Sequence, residues 1–522
     1  MKFKLNKSVY LSIFFIIFLL FLKTDYRLVT DIYCCGDDHD YFMHASTIAF
    51  DFDLDYSNQM EGIENKRYNN NGKIAPRGFI GTGILSAPFL FLGNIIDAMF
   101  GDSSQVLVTN YKIIFYSLSP IVYLYASIIL MLKSLRILGK NVSFVEIALL
   151  TLGSGAAYFG FERFSMTHVY EIFTISGVIF LSLKIYTSDK ENKTLYFLLS
   201  IFLLVSLLTR WVNYFVVLIP IILHNISPKK NKLVYKNLLF NVFSVFSILL
   251  FLFLSKATYG VYTFNPQILY GVNKVDSLIS EISFSFLISN IQNFYKLFFS
   301  QEFGLLFFNP IVAIGFIISF FKLIRKINLQ NVLIIISYLQ VFGLILLWGS
   351  TASSYGFRYS LCLVPLSIIL YKTSGIESLF LKYSTYLLSI FSCFSVLFFE
   401  STPGTQLSLT EVTNVFGNNV RYSQPNYLSG YIESLFSLNA YLKIFATSYL
   451  GFFIFYILIN MFSKDSLIGF MEKLNLPTTN QDFLDLLDQI NNISTGMVLI
   501  LLLFTVWLGL NSYKYYSVKS KN

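Results

Sequence analysis

The residues best suited to chemistry stand together near the start of the chain, in Gly36-Asp37-Asp38-His39-Asp40-Tyr41. They follow directly on the first apolar span, in a protein of which only 13% is charged. Ionisable groups are costly beside hydrocarbon, so carboxylates gathered there read as a functional site. A carboxylate within hydrogen-bond reach can take the proton from an attacking hydroxyl, which makes Asp37 and Asp38 the catalytic candidates. Adjacent carboxylates can also repel, raising one pKa, or share a divalent metal such as Mg or Mn. The competing view is a solvated acidic loop.

Arg210 and Arg358 sit at ends of apolar spans. A guanidinium is a planar fork that matches phosphate oxygens, so both are candidates for binding a phosphate leaving group at the membrane surface. Snorkelling to lipid headgroups is the bland alternative. Arg358 stands in Tyr355-Gly356-Phe357-Arg358-Tyr359, where glycine permits close backbone approach. Of the histidines, His39, His44 and His168 could ligate a metal, although a hydrogen-bonded interfacial histidine is the commoner arrangement. Asp51-Phe52-Asp53-Leu54-Asp55 lacks the glycine and terminal Glu of a calcium loop. Four cysteines show no metal-ligand spacing.

The elements that must position these residues are apolar helices. The chain has 522 residues, 55% hydrophobic and 18% aromatic, with mean hydropathy +0.63. Apolar runs of about 20 residues recur along it, enough to cross a ~30 Å hydrocarbon core. The expected fold is an all-α polytopic membrane protein with about 11–13 transmembrane helices. Its net charge of +9 comes from basic residues dispersed over short connections, which form no stripe for nucleic acid.

The positive-inside rule sets the orientation. Lys2, Lys4 and Lys7 precede the first span, Val9 to Leu22, which reads as an uncleaved anchor because no small-residue cleavage site follows it. Between Asp31 and Ala75 stand nine acidic residues against three basic ones, so this loop is placed outside. Gly78 to Met99, with Gly81, Gly83, Pro88 and Gly93, reads as a surface-lying or re-entrant helix. Spans are then expected near residues 113–132, 142–158, 169–186, 194–208, 211–225, 237–254, 305–321, 331–348, 359–371, 382–399, 441–462 and 495–511. Long outside loops fall at 255–303 and 400–440, and parity is unsettled after residue 462. On this topology Arg77, Glu162, Arg163, His168, Glu171, Arg210, Glu302 and Arg358 share the outside face with the acidic stretch. The matches to the N-glycosylation pattern at Asn141, Asn192 and Asn225 fall on the cytoplasmic side and read as chance.

The chain resembles the GT-C superfamily of integral-membrane glycosyltransferases, which includes protein mannosyltransferases and aminoarabinose transferases. The resemblance rests on Gly36, Asp37, Asp38, Tyr41, Ala45, Asp53-Leu54 and Asn58. It continues through Pro76-Arg77-Gly78 and Leu85-Ser86-Ala87-Pro88. Later matches are Gly304-Leu305-Leu306 with Asn309-Pro310, and Trp348-Gly349 followed by Tyr355 to Tyr359. Phe357 stands where the family has proline. The resemblance implies a polyprenyl-phosphate-sugar donor, an outside glycan, lipid or protein acceptor, and transfer with inversion. It implies Asp37 as the base, Asp38 helping it or holding a cation, and Arg358 and Arg210 on the lipid phosphate. Tyr41, Arg77, Glu162, His168, Glu302 and Tyr359 would line the substrate pocket. Residues 1–400 would form the catalytic module, with its first outside loop at 23–110, and residues 401–522 a C-terminal part of unplaced role. A bacterial plasma membrane is expected, the endoplasmic reticulum being the alternative. The rivals are an O-antigen-type polymerase or ligase and a transporter or flippase for lipid-linked sugars. A transporter predicts internal repeats and ionisable groups within spans.

Overall fold

A computed structural model describes residues 36–60, 69–70, 73–76, 78–100, 111–189, 191–229, 233–264, 292, 294–301, 303–348, 355–375, 378–398, 409–413, 419–423, 435–438, 441, 445, 448–473 and 495–517. The expected first span, Arg77 and Glu302 lie outside the described residues. Helix dominates. Among the described residues, strands occur in two short antiparallel pairs, Asn69–Asn70 with Lys73–Ile74 and Leu409–Thr413 with Asn419–Ser423.

Among the described residues, five helices are long and apolar enough to cross a membrane: Gly81–Phe100, Tyr111–Ile137, His168–Thr187, Leu238–Tyr259 and Leu379–Leu397. At 1.5 Å per residue, the 20 residues of Gly81–Phe100 extend about 30 Å. Pro88 lies inside this helix, and the helix runs on through it. Its glycines serve packing: a Cβ on Gly83 would lie 2.5 Å from the Cβ of His44.

Several other expected spans are shorter or broken. The segment expected near 142–158 is a helix over Phe144–Thr151 followed by two π turns, Leu152–Ala156 and Tyr158–Glu162. The one near 211–225 begins as a 3-10 helix, Trp211–Leu218, before Ile219–Ile226. The one near 359–371 begins as another, Arg358–Leu363, before Val364–Thr373. Near 305–321, Asn309 interrupts the helix and Pro310 restarts it as Pro310–Arg325, proline being well tolerated in a first turn.

Helix starts follow local chemistry. The Asn192 side chain accepts from the backbone N–H groups of Thr194 and Leu195, and that of Asn237 accepts from Phe240. At the glycosylation match of residue 192, the asparagine is thus a helix cap. The core centres on Tyr111–Ile137 packed against His168–Thr187. These two helices run parallel. Ser119 Oγ is 2.6 Å from Tyr170 Oη, and the Tyr123 ring lies 4.7 Å from that of Phe173.

Candidate functional site

The short helix Gly36–Ser46 carries Asp37 and Asp38 in its first turn, where negative charge suits the helix dipole. The two carboxylates have different surroundings. Asp38 is 1% exposed. Its Oδ2 accepts from Arg163 Nε at 2.9 Å and Nη2 at 2.6 Å. Its Oδ1 accepts from the Ser165 hydroxyl. The Asp37 side chain is 40% exposed and pairs with Arg358, whose Nη2 stands 3.3 Å from Oδ2. Burial works against the charge on Arg163, but Asp38 more than offsets it and raises the guanidinium pKa.

A second buried cluster adjoins the first. Glu171 Oε1 is 3.6 Å from Arg210 Nη1, and its Oε2 is 3.5 Å from His168 Nδ1. Both contacts are of ion-pair length and longer than a good hydrogen bond. The Arg210 guanidinium lies 4.4 Å from the centre of the Tyr359 ring, and that of Arg358 lies 5.4 Å from it. One aromatic ring thus contacts both arginines. Tyr41 is buried within the electrostatic reach of Arg210, Asp37, Glu171 and Arg358, and burial pushes its phenol pKa up.

Irregular backbone aims these side chains. Arg163 follows the π turn Tyr158–Glu162, Arg210 stands in extended conformation between Lys193–Thr209 and Trp211–Leu218, and Arg358 opens a 3-10 helix. Unbroken helices would spread the three arginines around their cylinders. Side-chain hydrogen bonds tie the segments beside these breaks to their neighbours. Thr82 Oγ1 donates to Thr167 Oγ1 at 2.7 Å. Asn213 Nδ2 donates to Thr209 Oγ1 at 2.9 Å, next to Arg210. Before Arg358, Gly356 has φ +61°, and a Cβ there would lie 2.7 Å from Phe308 Cβ. Phe357 has φ −78°, an angle that proline also adopts. Asn309 Nδ2 donates to Ser360 Oγ at 2.8 Å, joining the two late sequence elements of the resemblance.

Of the residues singled out from sequence, Asp37, Asp38, Tyr41, His168, Arg210, Arg358 and Tyr359 come together here. The backbone of Glu162 closes a π turn, and its side chain is outside the described set. His44 is buried elsewhere in the same helix, its Nδ1 2.7 Å from Tyr56 Oη. Sequence reading placed Arg163 and Glu171 on this face without a role and passed over Ser165. The signal for Arg163 and Glu171 was their charge beside apolar spans, whereas Ser165 offered none. A divalent cation fits the carboxylate pair poorly. Both oxygens of Asp38 are engaged, and among the described residues no three His, Cys, Asp or Glu side chains gather to hold a metal.

No family model, curated protein or solved structure matches this chain. Its chemistry therefore has to be read from the cluster: a half-exposed carboxylate beside Arg358, two arginines against one tyrosine ring, and the buried acids Asp38 and Glu171 that hold Arg163 and Arg210.

Proposed function

We propose that this protein is a membrane glycosyltransferase that moves a sugar from a polyprenyl-phosphate donor to an acceptor hydroxyl outside the membrane. The observation that carries the reading is Asp37, a partly exposed carboxylate 3.3 Å from the Arg358 guanidinium. A base and a phosphate-binding cation side by side are what such a transfer needs.

In this reading Asp37 takes the proton of the acceptor hydroxyl. The hydroxyl oxygen bonds to the anomeric carbon as the bond from that carbon to the phosphate oxygen breaks. The electron pair leaves with the polyprenyl phosphate, and the anomeric centre inverts. Arg358 stabilises the charge that develops on the phosphate, helped by Arg210 across the Tyr359 ring. Donor phosphate competes with Asp37 for Arg358, so donor binding frees the base for the acceptor. Asp38 is already paired with Arg163 and hydrogen-bonded by Ser165, and it acts as a positioning residue for the helix that carries Asp37. Glu171 holds Arg210 and can accept a hydrogen bond from a sugar hydroxyl. No step runs through a metal. The site stands where helices begin and end, a placement suited to a lipid donor whose headgroup lies at that level.

Purified protein incubated with a panel of polyprenyl-phosphate sugars and membrane-extract acceptors tests the proposal. Asp37→Asn is expected to lower transfer by about 10²–10⁴-fold with an unchanged Tm. Arg358→Ala is expected to raise the donor KM and lower kcat together. Full transfer by Asp37→Asn would remove Asp37 from the chemistry. Donor movement across vesicles without transfer would favour a flippase.

A further inference from the structure

A second charged place stands at the far end of the same two core helices. A cavity of about 480 Å³ is lined by Lys133 and Arg136 from Tyr111–Ile137 and by Lys184 from His168–Thr187. The volume falls within the ~300–1,000 Å³ of small-ligand sites. Ile137 and Phe180 give the cavity an apolar wall, and Thr187 and Ser188 close its rim. The 20 residues from His168 to Thr187 put the cavity about 30 Å along the helix from the carboxylate–arginine cluster.

The three cations differ from other lysines that bridge this part of the chain. Lys372 bonds to Glu146, and Lys229 lies 2.7 Å from Asp189. Among the described residues, Lys133, Arg136 and Lys184 form no ion pair. Lys184 Nζ stands 5.7 Å from the Phe180 ring, on the cavity wall. Cations in a last helical turn offset the carbonyl ends of the helices, and Arg136 and Lys184 occupy such turns. That role calls for no cavity and does not account for Lys133, which stands before the last turn of its helix.

We propose that this cleft binds the phosphate headgroup of an anionic membrane lipid. Both helices are long and apolar enough to span, so their shared end falls at headgroup level. Basic pockets between spans on the cytoplasmic side hold such headgroups, and each basic residue adds to the affinity. The apolar wall of Ile137 and Phe180 gives acyl chains a surface that a soluble phosphate compound has no use for.

Native mass spectrometry of the full-length protein in dodecyl maltoside, titrated with dioctanoyl phosphatidylglycerol or dioctanoyl phosphatidylcholine, tests the cleft. Wild type is expected to retain the phosphatidylglycerol preferentially. Lys133→Gln, Arg136→Gln and Lys184→Gln should each weaken it about fivefold, and the triple variant about a hundredfold. Lys133→Arg with Lys184→Arg should bind as wild type does. The single variants carry the test if the triple variant does not fold. Undiminished phosphatidylglycerol binding by the Gln variants, or equal retention of phosphatidylcholine, would overturn the proposal and leave the cations as dipole partners only. Displacement by glycerol 3-phosphate at the concentration of the lipid would overturn the lipid source in favour of a soluble phosphate compound.

Discussion

The two ends of the Tyr111–Ile137 and His168–Thr187 pair use charge in opposite ways. At one end, Asp38 and Arg163 are tied together with side chains 1% and 14% exposed, and Glu171 sits wholly buried beside Arg210. At the other, Lys229 and Asp189 pair at 2.7 Å with side chains 53% and 85% exposed. The two pairings are similar in length but not in environment. Water screens the exposed pair and has nothing to lose when it breaks, so that pair contributes little. The buried pair was stripped of water when the chain folded, so losing one partner leaves the other uncompensated. Charge at the first end is held out of water, whereas the Lys229–Asp189 pair at the second is open to it.

Breaking the buried pair is expected to give the largest effect. Arg163→Leu leaves Asp38 buried without its partner, which should cost about 3–5 kcal/mol. Denaturation in detergent would measure it, and Asp38→Leu added to Arg163→Leu should recover most of the loss. Recovery failing would mean that Arg163 supports more than Asp38.

Acid probes the same end at His44, which lies outside the candidate spans. Burial lowers its pKa from the ordinary 6.5 to about 3. The unfolded chain therefore binds a proton in this interval that the folded protein refuses. Stability from this group is full above pH 6.5 and falls as the pH drops toward 3, by on the order of a few kcal/mol. Tm followed across that window should show the slope, and His44→Leu should flatten it.

Gly356→Ala sharpens the contrast by moving one arginine without removing it. The left-handed φ of +61° and the approach to Phe308 make the change cost about 1–2 kcal/mol. Displacement of Arg358 should also lower transfer more than stability, which parallel Tm and activity measurements would show. The smallest effect is expected at the exposed end, where Lys229→Ala should leave Tm unchanged within error.

How much of this was legible in the sequence differs between residues. Asp37 and Asp38 stood out because carboxylates are rare beside apolar runs. Arg210 and Arg358 stood out because they stand at ends of such runs, and Tyr359 only through the resemblance. The split in role between the two aspartates had no sequence signal, since both occupy the first turn of one helix. It is Arg163, 125 residues downstream, that closes on Asp38 and leaves Asp37 to Arg358. The glycines of residues 81–93 suggest a poor spanning helix from sequence, but in the structure their lack of a side chain serves contact with neighbouring elements. The shortened and broken spans were also missed, because an apolar run does not reveal where its helix stops and turns.

By itself, the sequence determined that the chain is built of apolar helices, since composition and run length decide what can lie in hydrocarbon. It determined as well which residue types are available for chemistry. Only the tertiary structure decided which carboxylate is held and which is presented. That choice depends on contacts between distant segments, on three backbone breaks that turn arginines toward one point, and on how much water the packed helices leave around each charge.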